Sequence, residues 1–258
     1  MIGILSPAKS VNFDDPAPTE RFTLPEFLDE SEALVKKLRS YSKKRLMSLM
    51  SVSEKIAALN HERFEQFSPP FTLENAKQAM YSFTGDVYRH MRINTYDPET
   101  IEFAQDNLRI LSGLYGYLRP LDLIQPYRLE MKTGLKTRRG KDLYKFWGSR
   151  ITEALKRDLD SDPNPVLINL ASQEYSRVID FKALDQPVIT ILFKEVDNGR
   201  AKTIAIFAKW ARGMMMDHII QNKLSDPEDL KTFNESNYQF SKADSDQTEW
   251  VFTRPRPE

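Results

Sequence analysis

The chain has 258 residues, 37 Lys+Arg against 37 Asp+Glu, no cysteine and 40% hydrophobic residues. A chain of this size buries roughly 70–75% of the surface its unfolded form exposes, so it needs no metal or disulfide staple. Zero cysteines exclude a disulfide scaffold, a thiolate zinc site, an iron–sulfur cluster and a cysteine nucleophile. The longest apolar runs, such as Val188 to Phe193, are far short of the roughly 18 residues a membrane span needs, and the N-terminus lacks the basic start and long apolar run of a signal peptide. A cytoplasmic protein with no membrane partner is expected.

Met1–Leu5 reads as a short buried strand ending at Ser6-Pro7. Thr23, followed by Pro25 and Glu26, reads as the N-cap of a helix to about Ser40, whose apolar stripe is Phe27, Leu28, Leu34, Val35 and Leu38. Two further helices are expected at about 43–50 and 54–67, the second stopped by Pro69-Pro70. Thr72 is expected to cap a helix to Tyr81, and Asp97-Pro98 to open another reaching Leu111. In the second half, Pro165–Leu170 reads as a buried strand and Ala171–Val178 as a short helix. Val188–Phe193 and Thr203–Ala208 are expected to form a hairpin across Asp197-Asn198-Gly199. A helix over Lys209–Lys223 and late strands at Tyr238–Phe240 and Trp250–Phe252 follow. With no repeat, no linker and no clean βαβ alternation, the expectation is a single compact domain over 1–258 of the mixed α/β (α+β) class.

The zero net charge averages over uneven blocks. Residues 12–32 hold seven acids and one base, 36–45 six bases and no acid, 128–150 eight bases and two acids, and 200–223 five bases and one acid. Such separation builds a basic face on a neutral protein, and basic blocks converging on one cleft would make a polyanion site.

Four segments carry candidate chemistry. Leu46, Leu49, Val52 and Ala57 fall at the spacing of a helix-hairpin-helix element, about 43–67, with Ser51 and Ser53 where glycine is usual. There the connection and the first turn of the next helix, Ser51, Val52, Ser53 and Lys55, would offer backbone N–H groups to a phosphate without reading bases. An ordinary αα-hairpin fits the same spacing. The second segment, 111–131, carries Arg119, Arg128 and Glu130 among glycines, prolines and tyrosines; its arginines suit either phosphate or internal pairing. The third joins a basic loop, Lys136, Arg138, Arg139 and Lys141, to Asp142, Phe146 and Trp147, the two aromatics being expected in a helix core. The fourth, Phe83–Tyr88, holds Asp86 after Gly85, read as a turn residue or a general base. No metal ligand set stands out, since His61, His90 and His218 have no ligand spacing, and no cofactor motif is present.

The motifs Ser6-Pro-Ala-Lys9, Phe83–Tyr88, Leu111–Gly116, Leu118–Asp122, Pro126–Met131, Gly140–Tyr144, Phe146–Gly148, Ile168–Ser172, Glu174-Tyr175 and Ala211–Gly213 together resemble the bacterial peroxide stress protein YaaA family along nearly the whole chain. The resemblance implies the unusual topology called the cantaloupe fold, a positive cleft and a helix-hairpin-helix element. It implies binding to duplex or branched DNA, and protection against hydrogen peroxide tied to limiting free iron. On the matching positions, Lys9, Arg119, Arg128, Lys209 and Arg212 would line the cleft, with Lys136, Arg138, Arg139 and Lys141 extending it. The alternative is an enzyme acting on a nucleotide or nucleic acid, with Asp86, Glu130, Asp142 or Glu174 as its carboxylate beside an arginine. Direct iron handling has the least support.

Overall fold

The computed structural model describes residues 1–257. One sheet of eight strands runs through it, in the order β4 (Gly116–Leu118), β3 (Leu108–Ser112), β1 (Ile2–Leu5), β6 (Leu167–Asn169), β7 (Val188–Asp197), β10 (Glu249–Pro255) and β9 (Gln239–Phe240), with β8 (Arg200–Lys202) also on β7. The inner five, β3-β1-β6-β7-β10, are mutually parallel. Taken in chain order they lie 2-1-3-4-5, so the chain steps one way from β1 to β3 and the other way to β6. The carboxyl ends of β1 and β6 therefore flank a switch point, where open parallel sheets place ligands. β4, β8 and β9 add antiparallel edges. β1, β3 and β6 are buried at every residue, as central strands covered on both faces must be. β7 alternates instead, with Ile189, Ile191, Phe193 and Glu195 turned into the core.

Helices α1 (Leu28–Arg39), α2 (Lys43–Met50) and α3 (Glu54–Gln66) precede a two-stranded piece, β2 (Lys77–Gln78) with β5 (Leu123–Ile124), and helices α4 (Ala79–Ser82) and α5 (Pro98–Asn107). Then come α6 (Leu143–Trp147), α7 (Arg150–Asp160), α8 (Gln173–Ser176) and α9 (Ala205–Gln221). Short-range signals explain several boundaries. Ser42, Ser53 and Asp97 cap α2, α3 and α5 by accepting the backbone N–H three residues on. Arg39 spends its guanidinium on the last carbonyls of α3, donating from Nε to Phe64 O at 2.7 Å and from a terminal nitrogen to Glu65 O at 3.1 Å.

Four sequence expectations give way to tertiary pairing. Thr23 caps nothing: it pairs with the 121–123 segment through both backbone groups, its hydroxyl donates to Asp122 at 2.6 Å, and α1 starts only at Leu28. The helix expected over 72–81 is one turn, then β2, then the four residues of α4, because Lys77 and Gln78 are claimed by β5. α5 stops at Asn107 because Leu108–Ser112 is needed between β1 and β4. The hairpin turn forms, with Asn198 at φ 50° and Gly199 at φ 74°, but its second strand ends at Lys202. Glu195 accepts the Ile204 N–H at 3.2 Å, and Thr203–Ala208 turns into α9 instead of continuing as strand. The strands β3, β4 and β5 and the helix α7 were not foreseen.

Candidate functional site

Two of the basic blocks meet. The end of α1, the start of α2 and the 136–139 loop enclose a groove of about 680 Å³, lined by Lys36, Lys37, Arg45, Lys136, Arg138 and Arg139, with no carboxylate in its lining among the described residues. All six are exposed. Its walls include Tyr41 and Phe146. The Arg45 guanidinium lies 3.7 Å from the Tyr41 ring centroid and that of Arg139 lies 5.0 Å from the Phe146 centroid, so the rings hold the cations at the groove. Behind the loop, Glu30 balances Arg139 at 3.5 Å and Arg150 at 3.6 Å. Trp147 is wholly core, donating from its indole nitrogen to Gly113 O at 3.1 Å, whereas Phe146 serves both core and groove. Lys36, Lys37 and Arg45 were visible only as a charge block; nothing short-range marked them as facing residues a hundred positions later.

The α2–α3 hairpin exists with a three-residue connection. Ser51 takes the left-handed conformation, φ 51° and ψ 52°, where the glycine of the motif would sit. Ser53 is extended and caps α3 through its hydroxyl, at 3.4 Å from Ile56 N. Val52 packs against the core, while Ser51, Ser53 and Lys55 are exposed. The first turn of α3 thus presents unpaired N–H groups to solvent.

A second, separate cluster lies beyond the carboxyl ends of β1 and β6. Glu130 is its hub. Arg128 donates to Glu130 at 2.9 Å, Lys9 lies 3.1 Å from the same oxygen, and Lys132 reaches the other oxygen at 3.6 Å. Lys132 also approaches Glu174 at 3.5 Å. Burial alone would raise the Glu130 carboxyl, but the hydrogen bonds and charges of Lys9 and Arg128 outweigh it and hold the group below its ordinary range. Glu130 is therefore a carboxylate at neutral pH. Ser6 pins the two strand ends together: its hydroxyl accepts from Ser172 N at 2.9 Å and lies 3.1 Å from the Ser172 hydroxyl. Tyr88 donates to Ser6 O at 2.9 Å, and burial keeps its phenol protonated. Asp86 and Lys209 pair at 3.5 Å next door, since residue 85 abuts Ala8.

Two glycines let these segments close up. A Cβ on Gly113 would come within 2.3 Å of Leu129 O, and one on Gly213 within 2.0 Å of Val87 O, so the irregular segment carrying Glu130 and the turn after Asp86 rest directly on backbone.

The predicted site residues therefore divide. Lys136, Arg138 and Arg139 face the groove; Lys141 is exposed outside its lining. Lys9, Arg128, Glu130 and Glu174 share the ion cluster, flanked by Asp86 and Lys209. Arg119 is committed to Asp122, from its backbone N–H at 2.8 Å and its guanidinium at 3.0 Å. Asp142 is the N-cap of α6, accepting from Lys145 N at 2.9 Å, which accounts for it structurally. Among the described residues Arg212 makes no ion pair and its Nε is buried without a protein acceptor, and burial lowers its pKa. Ser6 and Ser172 were missed, although both lie within motifs read from the sequence, and Lys132 was visible only as part of the 128–150 basic block.

The family description "Peroxide stress protein YaaA" matches residues 1–244. The chain belongs to the peroxide stress protein YaaA family. A UPF0246 protein of Cellvibrio japonicus is 49% identical over the full length of both chains. One from Acaryochloris marina is 50% identical over 98% of this chain and all of its own, and one from Neisseria meningitidis serogroup B is 49% identical over 98% of each. Membership in the YaaA family supports a role in peroxide stress. Among the described residues no helix is long and apolar enough to cross a membrane.

Proposed function

We propose that this protein protects the cell against peroxide by binding DNA, duplex or branched, along the groove between α1–α2 and the 136–139 loop. Binding is to the phosphate backbone without base readout. The observation that carries this reading is the convergence of two distant basic blocks on one groove with no carboxylate in its lining among the described residues. Six exposed cations on a groove wall neutralise phosphates in a row and release counterions, which is the main source of sequence-tolerant affinity. Tyr41 and Phe146 lie beneath Arg45 and Arg139 and hold those cations at the groove surface. In the same proposal the α2–α3 hairpin is a helix-hairpin-helix element that grips a further phosphate at Ser51–Lys55, the topology is the cantaloupe fold, and the protein works in the cytoplasm, limiting free iron as the family resemblance implies.

The test is fluorescence anisotropy on a labelled duplex at several salt concentrations. Log affinity should fall against log salt with a slope of about −0.9 per phosphate neutralised. Arg138→Glu with Arg139→Glu should weaken binding and reduce that slope by about 2. Binding indifferent to salt, or unchanged in the variant, overturns the reading.

A further inference from the structure

The groove leaves the ion cluster at the switch point without a task. We propose that the carboxyl ends of β1 and β6 form a second site, for a small molecule bearing a terminal phosphate monoester, held by Lys9, Arg128 and Lys132. This does not rest on the DNA reading.

Three observations converge on it. The first is topological: the chain leaves β1 for β3 on one side and enters β6 on the other, so the two following loops part around a position that open parallel sheets use for ligands. Ser6 and Ser172 tie the two loop starts into one wall. The second is charge. Lys9, Arg128 and Lys132 meet only Glu130 and Glu174 there, beside the Lys209–Asp86 pair, and Glu130 alone serves three of the cations. Internal pairing leaves an excess of positive charge, which favours a dianion over a monoanion. A phosphate monoester has about that charge near neutral pH, whereas each diester of an intact strand has one. The third is an unused donor. Among the described residues the Nε of Arg128 is buried without a protein acceptor. Buried donors are rarely left unpaired, and those that are call for a partner.

The geometry also sets the order of contacts. Arg128 is recessed, its side chain 19% exposed, while Lys9 and Lys132 are 60% and 61% exposed. Arg128 forms the fixed floor, with Glu130 holding its plane by one terminal nitrogen and leaving Nε and the other nitrogen for oxygen acceptors. The two lysines swing from Glu130 onto the ligand and close over it.

The experiment is isothermal titration calorimetry of the full chain with inorganic phosphate, AMP and adenosine, on wild type and on Arg128→Gln, Lys132→Gln and the groove variant Arg138→Glu/Arg139→Glu, with a thermal melt of each to confirm folding. AMP is expected to bind and adenosine not to. Lys132→Gln, an exposed change, should weaken AMP about tenfold and Arg128→Gln more, in line with the loss of a charge-assisted hydrogen bond. The groove variant should bind AMP like wild type while losing DNA. Phosphate binding without a gain for AMP would reduce the site to an inorganic phosphate site and overturn the monoester assignment. No saturable AMP binding, binding unchanged in a folded Lys132→Gln protein, or loss in the groove variant overturns the proposal.

Discussion

Ser51 shows what a single residue can and cannot announce. Its neighbours give the hairpin spacing, yet serine in the left-handed region costs about 1–2 kcal/mol against a conformation that glycine takes freely. Ser51→Gly should therefore raise stability by about 0.5–1 kcal/mol, after the extra unfolded-state freedom of glycine is deducted. A urea midpoint that stays put or falls would show that the serine is held by contacts stronger than this strain. Ser53, two positions on, is a serine for a readable reason, since it caps α3. Asp142 is readable in the same way, as a cap whose acceptor role is fulfilled within three residues. Glu130 is not, because its partner Lys9 comes from the other end of the sequence-distant loop after β1.

At the scale of the element, α5 shows a start that its own residues announce and an end that they do not. Asp97-Pro98 opens α5 as its sequence dictates, with Asp97 accepting from Thr100 N at 2.7 Å. That backbone hydrogen bond, the largest cause, holds the Asp97 carboxyl below its ordinary range. A carboxylate with a depressed folded pKa stabilises fully above its unfolded value, about 3.9, and loses that contribution as pH falls through the lower folded value. Asp97→Asn caps without titrating, so its melting temperature should fall less than that of wild type between about pH 5 and about pH 3. Parallel melting curves for the two proteins across that range would remove the cap from the acid response. The end of α5 was set elsewhere: Leu108–Ser112 has enough helical continuity to mislead, but β1 and β4 require it as strand.

On the scale of the whole molecule, neutrality conceals separation. The basic groove has a counterpart of equal size, about 680 Å³, whose lining includes Asp14, Asp15, Glu20 and Glu74 with Arg63 and Lys77. A polyanion is drawn to one and repelled by the other, so orientation on DNA needs no net charge. The sheet binds the chain's ends to its middle: β1 lies between β3 and β6, and β10 runs beside β7 for seven residues. Unfolding should accordingly be one transition. Far-ultraviolet circular dichroism should coincide with fluorescence from Trp147 in α6, Trp210 in α9 and Trp250 in β10. Resolved midpoints would mean that the two ends of the sheet unfold as separate units.

From its sequence the chain determines its charge blocks, its caps and turns, and its buried runs at Met1–Leu5, Pro165–Leu170 and Val188–Phe193. Each depends on residues within one turn or one strand of each other, where propensity and periodicity act. Its motifs also carry the family. Tertiary structure decided that 72–81 breaks for β2, that 203–208 turns into α9, and that Lys36 faces Arg138 across a groove. It also decided that Arg128 and Glu130 belong with Lys9 rather than with the basic loop only a few residues away. Those outcomes depend on strand pairing, on the Glu195 carboxylate meeting the Ile204 N–H, and on charges meeting over a hundred residues or more; long-range pairing overrides local preference because burying a strand's backbone and side chains outweighs the small energies that separate helix from strand in a short segment.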